Sequence, residues 1–338
     1  MCQISSGAVR YRDMADAIES RTIEVPAGVD AGTTIPVTTI RGGRPGPVLA
    51  LIAANHGYEY PPVLALQKLR SMIDPGGLRG TVVMVHVANM PSFLGRTVYF
   101  SPVDGKNLNR CYPGRPDGTV CERIAHAITT EIIEGADCVL DLHCGDGNEW
   151  LRPYVYQTVT GKPELDAAMA QLVRAFGIDH ILVDRNRPTD PARSMYCSTT
   201  AITRGKPAMT VESGSLGQSD AQSVARIVDG VRGVMRHLKM VEEGPAPVAN
   251  PVYLDPSAVI ASPATGILYW EVRPDQRVTK GTVLARITDF FGQEVAAVES
   301  PLEGVVLYIV ATPPITQGQP IGCVGTQALP PAGQNMEL

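Results

Sequence analysis

Between residues 21 and 40 the chain reads RTIEVPAGVDAGTTIPVTTI, with apolar and polar residues alternating between turn signals. That period predicts one or two antiparallel strands. Beyond the turn RGGRPGP the pattern changes. VLALIAA (48–54) is apolar throughout, as expected of a strand covered on both faces. Pro61 and Pro62 suit a helix's first turn, and VLALQKLRSM continues it with apolar residues at helical spacing. The same reasoning predicts strands over 80–89, 136–143 and 207–213, and helices over 120–134, 164–176 and 221–240.

Strands alternating with helices predict an α/β fold, a mostly parallel mixed sheet with helices on both faces. Ligands in such sheets collect beyond the carboxyl ends of the strands. The pattern breaks at EEGPAPVANP (242–251), a Pro/Ala linker, so residues 1–245 are expected to form one domain. Residues 252–338 are expected to form a small C-terminal all-β domain, a sandwich of two half-repeats. The halves begin SPATGILYW at Ser262 and SPLEGVVLYIV at Ser300, each Ser-Pro-x-x-Gly followed by an apolar strand that reaches a tyrosine. They resemble the halves of biotinyl/lipoyl-type domains. The intervening TDFFGQEV has no lysine, so no carried cofactor is expected.

Composition narrows the class. The chain has 338 residues, 44% hydrophobic and 19% charged, which fits a globular protein with a full core. A net charge of −5 gives no reason to expect nucleic acid or an anionic membrane surface as a partner. No stretch approaches the roughly 20 apolar residues of a membrane span. The N-terminal MCQISSGAVRYRDM lacks an apolar signal core, so a cytoplasmic location is expected. The 7 cysteines, Cys2 among them, are scattered and form no CxxC pair, so reduced thiols are expected rather than a disulfide framework.

The polar residues at strand ends carry the chemistry. His56 and Glu59 follow the run at 48–54, His143 ends the strand at 136–143, and Glu212 ends the strand at 207–213. Two histidines and a carboxylate make a three-ligand zinc set that leaves a fourth position for water. More oxygen ligands would be expected for magnesium or calcium. Glu212, in TVESGSLG, is then the proton carrier, and Gly214 and Gly217 permit a sharp turn beside it. Asp141 and Asp146 bracket His143 and could orient it. In the loop SPVDGKNLNRCYPG (101–114), Arg110 could grip a substrate carboxylate, with Asn109 fixing its orientation. Arg96 could polarise the scissile carbonyl or bind a second anionic group. His86, His126, His180 and His237 are read as structural.

NHGYE, NLNRCYPG, DLHCG and TVESG, in this order and spacing across roughly residues 45 to 240, resemble the succinylglutamate desuccinylase/aspartoacylase family of the zinc carboxypeptidase superfamily. The resemblance implies a zinc carboxypeptidase-like fold with one Zn2+ held by His56, Glu59 and His143. It implies that Asn109 and Arg110 grip the α-carboxylate and that Glu212 is general base and acid. It also implies a tyrosine from the C-terminal region, with Tyr253 and Tyr269 as candidates. The expected activity is hydrolysis of a small N-acyl amino acid, acetyl or succinyl in type, with N-acetyl-diaminobutyrate as one specific option. The rivals are a carboxypeptidase for short peptides and a non-catalytic, metal-stabilised binding module. Arg185, Arg187 and Arg193, in the loop 183–200, could read an anionic substrate or be merely solvated. Whether copies of the chain form a homo-oligomer is open at this level.

Overall fold

The structure is a computed structural model that describes residues 17–331; the N-terminal MCQISSGAVRYRDM and Cys2 lie outside the described residues. The alternating segment forms β1 (Ala17–Val25) and β2 (Thr33–Arg41), paired antiparallel. Next come β3 (Arg44–Ala53), α1 (Tyr60–Met72), β4 (Arg79–Val85), the short α2 (Met90–Gly95) and α3 (Val120–Ile128). They are followed by β5 (Cys138–Gly145), β6 (Glu149–Leu151), β7 (Tyr154–Thr158), α4 (Pro163–Phe176), β8 (His180–Asp184), α5 (Cys197–Thr203), β9 (Ala208–Ser215) and α6 (Ala221–His237).

The helix expected over 120–134 is α only to Ile128 and then widens into a π turn over Thr129–Ile133. There the Thr130 hydroxyl donates to the His126 carbonyl, a side-chain bond that competes with the regular ladder. The short β6, β7, β8 and α5 had no clear period in the sequence.

β3 shows why its sequence is apolar throughout. Leu49, Leu51 and Ala53 pack on one face with Leu66 and Leu69 of α1 and Val231 and Val234 of α6. Val48, Ala50 and Ile52 pack on the other with Ile124 and Ile128 of α3 and Ala201 of α5. Strands β4, β3, β5 and β9 are adjacent and parallel. The direction reverses at β7, which pairs antiparallel with β9. The carboxyl ends of β3, β5 and β9 therefore share one edge.

The remaining strands are β10 (Val252–Ala261), β11 (Gly266–Trp270), β12 (Arg277–Val278), β13 (Val283–Thr288), β14 (Glu294–Glu299), β15 (Gly304–Val310), β16 (Pro314–Ile315) and β17 (Pro320–Ala328). β10 pairs in parallel with β8 and antiparallel with β17, so the large sheet runs without a break into the C-terminal region, through β17 and β15 to β12. A separate four-stranded antiparallel sheet, β14-β13-β11-β16, closes a second core around Leu268, Leu284, Ile287, Val306, Ile321 and Val324. No described helix is long and apolar enough to cross a membrane.

The repeated Ser-Pro-x-x-Gly has a physical explanation. Ser262 and Ser300 are both buried, and each hydroxyl donates to the carbonyl two residues on, Ala264 and Leu302, at 2.7 Å. A Cβ on Gly266 would stand 2.0 Å from the Thr288 oxygen, and one on Gly304 2.1 Å from the Gly325 oxygen. Each half also lends a two-residue strand to the other, β12 to β15 and β16 to β11.

Candidate active site

β3 ends at Ala53, and Ala54 turns the chain with φ 56°, a left-handed value that is costly for a residue with a Cβ. The turn delivers His56 and Glu59 to the sheet edge ahead of α1. Gly57 is required between them, since a Cβ there would stand 2.4 Å from the Ser92 and Thr97 carbonyl oxygens. Glu59 Oε2 accepts the His56 backbone N–H at 3.0 Å, which locks the H-x-x-E turn. Its other oxygen, Oε1, faces Nδ1 of His56 at 2.8 Å and Nδ1 of His143 at 2.6 Å. The three donor atoms lie within 4.8 Å of one another.

The outer ring nitrogens are also engaged. Nε2 of His143 meets Asp141 Oδ1 at 2.8 Å, and Nε2 of His56 meets Asn107 Oδ1 at 3.1 Å. Acceptors at both Nε2 atoms favour the neutral tautomer protonated there, which would free both Nδ1 lone pairs for a metal ion, the arrangement in which metal-binding histidines are held. Asn55 Nδ2 donates to the same Asp141 oxygen at 2.8 Å. The electrostatics agree. Burial raises the Glu59 carboxyl, but His143 and His56 outweigh it and bring its pKa down to about 2. Burial lowers His143, yet Asp141 and Glu59 carry it well above its ordinary value. The cluster favours positive charge at the point where the rings meet Glu59. Two imidazole nitrogens and a carboxylate oxygen are a donor set that fits a zinc ion. The neighbouring Cys144 is a poor rival, because burial and then the charges of Glu59, Glu212 and Asp146 push its thiol well up.

The register of the sheet supplies the next group. His143 on β5 is the cross-strand partner of Glu212 on β9, so both side chains project on the same face. Burial raises the Glu212 carboxyl well above the ordinary range; His143 opposes this, and Glu59, Glu149 and Asp141 add to it. A carboxyl with raised proton affinity is suited to general acid and base work, although a bound dication would act against the shift. Gly214 and Gly217 adopt φ 114° and 60° as the chain leaves β9.

These residues line one cavity of about 620 Å³, together with Asn109 and Arg110. Asn109 is oriented by the Cys197 N–H, which donates to its Oδ1 at 2.8 Å, and its Nδ2 lies 3.2 Å from His143 Nε2. The Arg110 guanidinium donates to the Asn109 carbonyl at 2.7 Å and lies over the Tyr196 ring at 4.6 Å. Asp146 does not orient an imidazole. It takes the backbone N–H groups of Tyr58, Tyr99 and Gly147 at 2.9–3.1 Å and so ties loops together around the cavity.

The family model for the succinylglutamate desuccinylase/aspartoacylase catalytic domain matches residues 45–238. The chain belongs to the succinylglutamate desuccinylase/aspartoacylase family. It is 34% identical over 295 residues to the N-alpha-acetyl-L-2,4-diaminobutyric acid deacetylase of Halomonas elongata, covering 84% of each chain. A succinylglutamate desuccinylase from Silicibacter sp. TM1040 superposes with a TM-score of 0.82 at 26% identity, over 94% of this chain and 96% of that one. The product-bound ectoine utilization protein EutE from Ruegeria pomeroyi also gives 0.82, at 27% identity, over 93% and 96%.

Two sequence expectations for this family member part from the structure. Arg96 caps the end of α2 with φ 50°, is exposed, and does not line the cavity, so it is not placed to polarise a substrate carbonyl. Neither expected tyrosine reaches the cavity either. Tyr253 is buried in the main core, and Tyr269 is 55% exposed on the outer sheet. The C-terminal tyrosine that lines the cavity is Tyr308. A β-bulge between Val306 and Tyr308, opposite Cys323, inserts Leu307 into β15. Leu307 fills the core under the cavity with Leu151, Tyr154 and Leu254, while Tyr308 faces the cavity itself. One signal lay in the sequence: the tyrosine follows the repeat glycine by one residue more in the second half than in the first. Among the other histidines, His86 is satisfied by the Thr38 hydroxyl at 2.9 Å, and His86, His126, His180 and His237 all lie outside the cavity lining.

Proposed function

We propose that this chain is a zinc-dependent deacylase of small N-acyl amino acids, and that Nα-acetyl-2,4-diaminobutyrate is the type of substrate it hydrolyses. The observation that carries the reading is the meeting, in one cavity, of the His56–Glu59–His143 donor set, the adjacent Glu212 and the Arg110 guanidinium. The deacetylase of Halomonas elongata and the ectoine utilization protein of Ruegeria pomeroyi support the choice of substrate.

His56, Glu59 and His143 would hold the ion, with Asn107 and Asp141 fixing the rings. When bound, zinc supplies Lewis acidity that polarises an amide carbonyl and acidifies a water. Arg110 pairs with the substrate α-carboxylate, and Asn109, pinned by the Cys197 amide, sets its angle. Glu212 takes the proton of the attacking water and returns it to the departing amine nitrogen, giving a free carboxylate and an amino acid. Tyr308, Pro320 and Cys323 line the cavity from the C-terminal side, where a wall would favour small substrates over peptide chains. No α-amine or peptide chain is required by this scheme.

The test is a hydrolysis screen over N-acetyl and N-succinyl amino acids beside short peptides, with and without a chelator. The reading expects chelator-sensitive release of amine from acetyl amino acids, strongest on acetyl-diaminobutyrate. Faster release of C-terminal residues from peptides would replace it with a carboxypeptidase, and zinc-independent turnover would remove the metal from the mechanism.

A further inference from the structure

The charges of the cavity do not cancel evenly. Of the loop arginines, Arg185 is paired with Asp255 at 2.9 Å and Arg187 with Asp184 at 2.5 Å, with the Arg187 guanidinium also over the Tyr196 and Tyr156 rings at 4.1 and 5.2 Å. Arg193 is exposed and lies outside the cavity lining. These arginines are therefore neutralised or absent and offer little to an anionic side chain. Asp146 spends its oxygens on backbone amides, Glu59 on the imidazoles, and Glu212 is committed to proton transfer. Two charged side chains of the cavity remain with no ion-pair partner among the described residues. One is Arg110, the partner of the α-carboxylate in the scheme above. The other is Glu149, which has no task in it.

Glu149 begins β6, one turn beyond the DLHCGD segment, and lines the cavity. Its main chain is fixed on two sides, pairing with Val310 of β15 and accepting the Leu216 N–H at 3.0 Å. The Tyr99 hydroxyl donates to its Oε1 at 2.5 Å, and Tyr99 is itself held with φ 58° by the Asp146 carboxylate on its N–H. No lysine or arginine among the described residues pairs with it. A carboxylate so placed is costly to bury unless a cation joins it. Burial, reinforced by Asp146 and Glu59 and opposed by the Tyr99 hydrogen bond and by His56, raises its pKa to about 7.

We propose that Glu149, oriented by Tyr99, is the specificity residue that recognises a side-chain ammonium on the substrate amino acid. Arg110 and Glu149 then read the two fixed charges of a diamino acid, its α-carboxylate and its terminal amine. An aspartate or glutamate side chain would instead be repelled by Glu149. This inference rests on the deacylase reading but concerns a different residue, and binding can test it without turnover.

The experiment compares Nα-acetyl-2,4-diaminobutyrate with Nα-acetylnorvaline, which replaces the ammonium by a methyl group, in the wild type, Glu149→Gln and Tyr99→Phe. In parallel, calorimetry on the zinc-loaded protein measures binding of the product 2,4-diaminobutyrate against norvaline. A charge-assisted contact predicts that Glu149→Gln cuts the preference for the cationic compound by about tenfold to a hundredfold, chiefly in KM and Kd. Tyr99→Phe should lower it in the same sense by less, and it decides the matter if Glu149→Gln fails to fold. Equal losses on both compounds, or an unchanged preference, would overturn the proposal. A wild type that hydrolyses no acyl amino acid, yet binds diaminobutyrate over norvaline through Glu149, would sink the deacylase reading and leave this one standing.

Discussion

On the sheet side of the cavity, His56, Glu59, His143 and Glu212 come from the ends of three adjacent parallel strands, and their orientations are fixed by hydrogen bonds or by register. On the C-terminal side, Tyr308, Cys323 and Pro320 come from one half of a repeated β unit, whose other half leaves its tyrosine in solvent. The sheet side concentrates charge and proton affinity. The C-terminal side supplies shape. The difference teaches that the candidate reacting groups sit where strand ends and register fix the backbone, while the C-terminal wall depends on a small core, Leu151, Tyr154, Leu182, Leu254, Leu307 and Cys323, shared between the two parts of the chain.

The sharpest break of this comparison is on the sheet side. Glu59→Gln removes the carboxylate that both imidazoles face, so metal analysis should show zinc content well below that of the wild type and hydrolysis should fall to background. Glu212→Gln should leave zinc content and circular dichroism unchanged while kcat drops about 10²- to 10⁴-fold. If zinc is lost with it, Glu212 is a ligand and its assignment as proton carrier is wrong. Asp141→Asn keeps the ligands but weakens the acceptor on His143 Nε2, and a competition titration should find zinc affinity about 10- to 100-fold lower.

The C-terminal side is probed by smaller changes. Gly266→Ala and Gly304→Ala should each destabilise the protein by about 1–3 kcal/mol in chemical unfolding, since both Cβ atoms would strike a neighbouring carbonyl oxygen. A large difference between them would show that the two halves are not built alike. Tyr308→Phe and Tyr269→Phe sharpen the contrast within the repeat. The first should alter kcat/KM for the acyl amino acid by several-fold to about tenfold, and the second should leave it unchanged.

Much of the sheet side was legible in the chain. Continuous apolar runs marked the buried strands, and polar residues at their ends marked the edge where ligands collect. NHGYE and DLHCG were readable only in company with NLNRCYPG and TVESG, because a histidine at a strand end or an H-x-x-E turn is by itself a weak signal that packing or a surface turn explains. Asn107 was not singled out, because an imidazole's outer partner is chosen by loop closure rather than by any local period. Tyr308 was missed because a single inserted residue, the bulge at Leu307, decides which tyrosine meets the cavity. Glu149 stood in the same stretch as His143, but only the pairing of Arg185 and Arg187 with aspartates shows that it lacks an ion-pair partner. Arg96 shows the reverse error, a basic residue near a motif whose side chain the structure turns to solvent.

The central claim is that His56, Glu59 and His143 hold one metal ion at a single site. X-ray absorption at the zinc edge of the purified protein, alongside metal analysis, tests it most directly. The account predicts one zinc per chain, with scattering from two imidazoles and oxygen ligands and none from sulfur. A sulfur shell, a single imidazole, or protein that takes up no zinc at all would contradict it.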